Sequence, residues 1–217
     1  MTNDTRARRR PALSSEDKLH RRDEIMAAAK KVFACNGFHA ATIADVAGEA
    51  RLAYGSVYQY FDSKEDLFQA LMSAEGYALR THIAVALAET GTRAETSWAP
   101  LRAAAQATFE FFEEDKATAK LLLRDAYALG ARFENHLNDI YERYIDDIAA
   151  YMAAAQQHGK VISAPPRMVA FTVAALIGHL AHRRLITDDG VTAAEVADFV
   201  IEFIGNGLRP HQSRPQP

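Results

Sequence analysis

The stretch TIADVAGEARLAYGSVYQYF, residues 42–61, constrains the fold more than any other part of the chain. Thr42, with Asp45 three positions on, is a capping-box start, and Ile43, Val46 and Ala47 form an inward face at helical spacing. This helix lasts only about two turns before Arg51-Leu52-Ala53 interrupts it. A second short helix is predicted over 54–60. Ahead of both, Ile25, Ala28, Ala29, Val32 and Phe33 follow the i, i+3, i+4, i+7, i+8 rule of one helix face. Asn36-Gly37 ends that helix, glycine being the usual left-handed stop. Two short helices joined by a tight turn and supported by a longer one make a helix-turn-helix unit.

In such a unit the second helix lies in the DNA major groove. Here that helix is YGSVYQY. Its exposed side chains are expected to be Tyr54, Ser56, Tyr58 and Gln59, with Val57 and Phe61 turned inward. Gly55 has no side chain and lets the backbone come close to a phosphate. Tyr and Ser hydroxyls are common phosphate contacts, and Gln can read adenine through N6 and N7. Tyrosines at these positions suit a surface that touches a sugar–phosphate wall with the ring and hydrogen-bonds with the tip.

TIADVAGEARLAYGSVYQYFDSKEDLFQAL resembles the DNA-binding domain of the tetracycline-repressor (TetR) family of bacterial transcription regulators. Gly55, Tyr58, Tyr60, Phe61, Lys64, Glu65 and Leu67 stand where the family pattern has them. The resemblance covers residues 22–71. It implies that Thr42 binds a phosphate at the start of its helix and that Ala53 and Tyr54 stand at the entrance of the recognition helix. It further implies that Ser56, Tyr58 and Gln59 face the groove, that Tyr60 holds a backbone phosphate, and that Lys64 binds another. Thr42 and Ser63 are helix caps in any case. One departure stands out: where the family has glycine in the turn, this chain has Arg51. A non-glycine residue in the left-handed conformation costs on the order of 1 kcal/mol, so either Arg51 accepts that strain or the turn differs.

The remainder is also predicted helical. Ser63 and Asp66 open a long helix over 64–89, with Leu67, Phe68 and Leu71 inward. Leu101, Ala104, Ala105, Thr108 and Phe112 mark another, and Leu121 to Tyr127 a shorter one. A long helix runs from Phe133 to Met152, Pro165-Pro166 opens the next, and Thr192 with Glu195 caps the last. The fold class is all-α, about nine helices, with no strand signal. The expected organisation is a basic arm over 1–13, the helix-turn-helix domain over 14–65, a helical ligand-binding and dimerisation domain over 66–207 and a tail over 208–217. Arg6, Arg8, Arg9 and Arg10 make the arm basic, for phosphate or minor-groove contact or simply as a solvated tail. Residues 1–65 hold 11 Lys and Arg against 9 Asp and Glu, a net of +2, while the whole chain carries −3. The two parts are therefore expected to meet different partners.

PPRMVAFTVAALIGHLAHRRL, near the C-terminus, is apolar nearly all round and must be buried on most sides. Paired with the last helix, and with the same two helices of a second copy, it forms a four-helix seam. The predicted seam residues are Phe171, Leu176, Leu180, Phe199, Val200 and Phe203. TetR-like proteins are similar in pairing their last two helices, and a two-fold dimer implies a near-palindromic operator. The middle helices are then expected to enclose an apolar effector pocket. Its candidates are Trp98, Phe109, Phe112, Tyr127, Phe133, His136, Tyr141, Met152 and His179, each of which core packing would also explain.

The single cysteine, Cys35, rules out an internal disulfide or a cysteine-based zinc site. His136 with Asp139, and His179 with His182, are one turn apart but lack third and fourth ligands, so no metal and no cofactor is expected. There is no uninterrupted apolar run of membrane-spanning length, and the basic N-terminus has no apolar stretch behind it. A cytoplasmic protein is expected. No Ser-His-Asp set, phosphate-binding glycine loop or metal framework points to an enzyme. The reading is a homodimeric, ligand-responsive repressor, released from double-stranded DNA by a small apolar or aromatic effector. The alternative is a DNA-organising protein with the same reader and no ligand, marked by a core filled with its own side chains.

Overall fold

A computed structural model describes residues 14–90, 98–125, 131–159, 161–187 and 190–208, with backbone only at 124–125 and 131–140. Within them the chain folds as nine helices and no strand. They are α1 (Ser15–Ala40), α2 (Ile43–Glu49), α3 (Tyr54–Val57), α4 (Lys64–Glu89), α5 (Ala99–Glu114), α6 (Lys116–Ala119), α7 (Ala131–Gln157), α8 (Pro166–Ile186) and α9 (Ala193–Leu208). A π-helical turn, Lys120–Asp125, continues α6. The predicted arm and tail lie outside the described residues, apart from Leu208, which ends α9.

Local chemistry sets the helix starts. Thr42 and Asp45 close a reciprocal box: the Asp45 amide donates to Thr42 Oγ1 at 3.2 Å, and the Thr42 amide donates to the Asp45 carboxylate at 2.8 Å. Thr192 and Glu195 repeat it on α9. Ser14 and Asp17 do the same for α1, which therefore begins well before Ile25, the first residue of its apolar period. The intervening residues are charged and carry no apolar period, which hid the start. Gly37, expected to end α1, instead kinks it: φ is +74° and ψ 160°, a backbone that favours glycine, and one more turn follows to Ala40. α3 is helical only through Val57, and tighter i→i+3 bonds carry the chain to Tyr60, shorter than the predicted 54–60.

The turn between α2 and α3 answers the question Arg51 raised. Leu52 donates its amide to Ala47 O at 2.8 Å and Arg51 donates its own to Gly48 O at 3.1 Å. Together these make a Schellman motif, whose closing residue must be left-handed. Arg51 takes that conformation, φ +56°, and accepts the strain.

Two cores form. The front one gathers Ile25, Phe33, Val46, Val57, Phe61, Leu67 and Phe68, with Phe33 and Phe38 each edge-on to Phe68, ring centres 5.3 and 4.9 Å away. The back one gathers Leu101, Phe109, Phe112, Ile145, Met152, Val173, Ile177 and Val200. Val200 is fully buried there, so it belongs to its own chain's core and not to the predicted seam. α8 is long and apolar enough to cross a membrane by length and mean hydropathy, 1.2, yet it packs on α7 and α5. Its apolarity is divided: Val169, Val173 and Ile177 face inward, while Met168, Phe171 and Ile186 are exposed.

The halves are joined at α1, α4 and α6. The Lys30 ammonium on α1 pairs with Glu75 of α4 at 2.9 Å and with Asp115, the N-cap of α6, at 2.5 Å. Thr118, fully buried, donates its hydroxyl to Glu75 at 2.5 Å. Just beyond, Leu121 of the π-turn is fully buried in the front core. Burial acts to raise the Asp115 carboxyl, but the bond to Lys30 and the Thr118 amide outweigh it and hold the carboxyl below its ordinary value. Burial acts to lower Lys30, and Asp115 and Glu75 outweigh it, raising Lys30. The joint thus stabilises the fold above the unfolded carboxylate pKa of about 4 and below that of lysine at about 10.5. Leu121→Ala should cost about 2–5 kcal/mol and speed hydrogen exchange in α1 and α4, although residue 121 lies outside both helices. In urea titrations, the wild type should lose stability more steeply below pH ~4 than Lys30→Met, in which Asp115 has no cation to hold it ionised.

Candidate nucleic-acid interface

The residues of the turn and α3 are held from behind by one buried side chain, Val57. Around it the backbone places Ala53, Tyr54, Gly55, Tyr58 and Gln59 on the surface, with Ser56 and Tyr60 half-buried. Tyr54 and Tyr58 are 56% and 43% exposed, a large aromatic area to leave in water. They are one turn apart and organise each other. Their hydroxyls lie 3.1 Å apart, and their rings meet edge-to-face at 5.3 Å. The hydroxyl contact with Tyr54 raises the Tyr58 phenol above its usual range, so the Tyr58 tip is a neutral hydrogen-bonding group at physiological pH.

Tyr60 packs its ring against the front core. Phe61 is buried, and the Arg22 guanidinium lies over its ring at 4.7 Å. Thr42 is exposed, with its hydroxyl engaged to Asp45 at 2.7 Å in the cap. Lys64 departs from expectation. Its ammonium donates to Phe38 O at 2.8 Å, to Ala41 O at 2.9 Å and to His39 O at 3.4 Å, and it sits 4.4 Å from the Phe38 ring centre. An ammonium has three protons. All three here close the carbonyl end of α1 against the start of α4, so in this structure Lys64 is a staple with no proton left for a phosphate.

The predicted effector pocket is dispersed. Phe109, Phe112 and Met152 are buried within the back core. Trp98 is half-buried with its indole against Gly205 of α9, where an added Cβ would sit 3.4 Å from the ring. Tyr141 meets Phe171 edge-on at 5.8 Å. His179 is on the exposed side of α8, so it points away from the core that was to hold the pocket. Tyr127 lies outside the described residues, as do the side chains of Phe133 and His136. Phe109 and Phe112 do line a shallow, open cleft, which Glu113, Lys116, Ala181, Arg184 and Leu185 complete. Arg184 there donates to Glu113 and to Val191 O, both at 2.6 Å.

Sequence reasoning missed the Tyr144 phenol, which burial in the back half pushes up to about 12. It also missed Arg184 and the Lys30 joint. Asp115-x-x-Thr118 is a cap signal that was available for the joint; nothing local pointed to Lys30 or Arg184. Among the described residues no group of three or more His, Cys, Asp or Glu is placed to hold a metal ion.

Residues 25–71 match the family model of bacterial regulatory proteins, tetR family. Over 191 residues the chain is 25% identical to the HTH-type transcriptional activator FasR of Mycolicibacterium smegmatis, covering 87% of this chain and 83% of that one. Its fold is similar to that of the fatty acid degradation regulator FadR from Bacillus halodurans, with a TM-score of 0.76 at 20% identity over 86% of this chain and 99% of that one. The transcriptional regulator FadR from Bacillus subtilis in complex with stearoyl-CoA gives 0.75 at the same identity and coverage. Replacing Tyr58 with alanine should lower affinity for a cognate duplex about tenfold or more in a fluorescence-anisotropy titration, while leaving the melting temperature unchanged. Equal loss of both would make Tyr58 a packing residue.

Proposed function

From a chain that is a transcriptional regulator of the tetR family and not an enzyme, we propose a homodimeric, cytoplasmic repressor that leaves a near-palindromic operator when it binds an apolar effector. The observation that carries the reading is the Tyr54–Tyr58 pair, exposed and pre-ordered on a short helix buried only at Val57. Thr42, Ala53, Tyr54, Gly55, Ser56, Tyr58, Gln59 and Tyr60 are the proposed contact surface. The reader over 14–65 and the sensor over 66–207 are the proposed working units, linked by α4.

The dimer is supported by unpartnered apolar surface on the last two helices. Phe199 and Phe203 are 67% and 64% exposed and stack on each other, and Phe171, Met168 and Ile186 are exposed on α8. Leu176 and Leu180 are half-buried against their own core and serve the seam at its edge. An exposed apolar patch of this kind marks an interface. Phe199→Asp should give a folded monomer in analytical ultracentrifugation with much weaker operator binding, since a monomer reads one half-site only. A Phe199→Asp protein that remains dimeric would remove the seam.

The proposed effector is a long-chain acyl thioester. One fold neighbour is a fatty acid degradation regulator by name, and another is a transcriptional regulator in complex with stearoyl-CoA. Apolar Phe109 and Phe112 beside cationic Lys116 and Arg184 in one cleft suit an amphipathic anion. The ligand-independent reading is favoured by a different observation: Phe109, Phe112 and Met152 are buried by their own neighbours. Binding to the DNA flanking the chain's own gene, titrated with acyl-CoAs of increasing length, separates the two. Release of DNA by the long chains supports the repressor. Undiminished binding throughout supports the ligand-independent protein, and tightening would make the chain a regulator that works when loaded; its relative FasR is an activator by name.

A further inference from the structure

We propose that Arg51 is a DNA phosphate contact, retained in a strained backbone because its cation is needed at that place. The inference rests on residues 42–61 being the reader. The Schellman closure of α2 requires a left-handed residue at position 51, and glycine or asparagine would supply it with little strain. Among the described residues every other positive φ belongs to a glycine. The strain is not repaid inside the fold. The Arg51 side chain is exposed and makes no hydrogen bond or ion pair with the rest of the described residues. Backbone strain kept without structural return is characteristic of functional positions.

The neighbouring cations are committed elsewhere. Arg21 pairs with Glu24, Arg22 covers Phe61, Lys31 pairs with Glu49, Lys30 holds the joint and Lys64 staples α1. Within residues 14–65 only Lys18, on the first turn of α1, shares Arg51's lack of a partner. From Leu52 to Phe61 the chain carries no charge at all. A groove reader without a cation gains no affinity from counterion release, the term that dominates binding to a phosphate backbone. Arg51, three residues ahead of Tyr54 on the same exposed turn, supplies one.

Arg51→Asn and Arg51→Lys, made in the full chain, test this against the flanking duplex and a scrambled one from about 50 to 200 mM salt. Asparagine tolerates the left-handed turn, so the Asn protein should melt no lower than wild type. It should bind both duplexes about tenfold more weakly, and its salt slope should fall by about 0.9 for each half-site occupied. The Lys protein should keep the slope. The assignment is overturned if the Asn protein binds with unchanged affinity and slope, if it weakens only the cognate duplex at unchanged slope, which means a base contact, or if it loses binding and melting temperature together, which means a disturbed turn. A wild-type protein without salt-dependent DNA binding would remove the reader itself, and this inference with it.

Discussion

One ammonium holds the two halves in register. Lys30 lies between Glu75 and Asp115, and without it two half-buried carboxylates would face each other across the meeting point of α1, α4 and α6. At an effective dielectric of about 20, charges 4 Å apart interact by about 4 kcal/mol, so the sign of this central charge decides whether the three helices attract or repel. The arrangement carries one more negative than positive charge, and the hydroxyl and amide hydrogens of Thr118 partly offset the excess. Among the described residues the two halves also meet through Leu121 and Leu122 beside this contact and along the continuous helix α4.

What could be read in the sequence was local. Thr42 with Asp45 and Thr192 with Glu195 each depend on residues within four positions, and each stands in the structure as read, while the expected stop at Gly37 is a kink followed by one more turn to Ala40. The departure at Arg51 was visible because the left-handed requirement of a tight turn is local too. What stayed hidden needed long-range geometry. Lys64 meets the end of α1 through 23 to 26 residues of sequence separation, so its position invited a phosphate role when its three protons were already engaged. Periodicity also places Phe199, Val200 and Phe203 together as apolar, but it cannot say which stripe meets the chain's own core and which is left over. Burial does: Val200 turns in, and the two phenylalanines turn out.

The same division explains α8. A helix apolar all round has no preferred side from sequence, and mean hydropathy alone would send it into a bilayer. Packing against α7 assigns one side. Arg167 at its start pairs with Glu142 and Asp146 of α7, and Arg184 near its end pairs with Glu113 of α5, fixing its rotation at both ends. The stripe with Phe171 is then left outward by geometry, not by polarity. The His179 expectation failed for this reason: the residue shares that outward stripe.

Leu121 carries a last consequence, for how such chains diversify. Beyond the first turns of α4, the front core contains one fully buried side chain that belongs, by sequence, to the back half. Grafting another front half onto this back half would put a foreign core around that leucine, either leaving a void or crowding it. Front and back halves of this build are therefore not freely interchangeable parts. Residue 121 and the front residues around it must change together, and a chimera joined inside α4 would inherit a mismatch some fifty residues away from its splice.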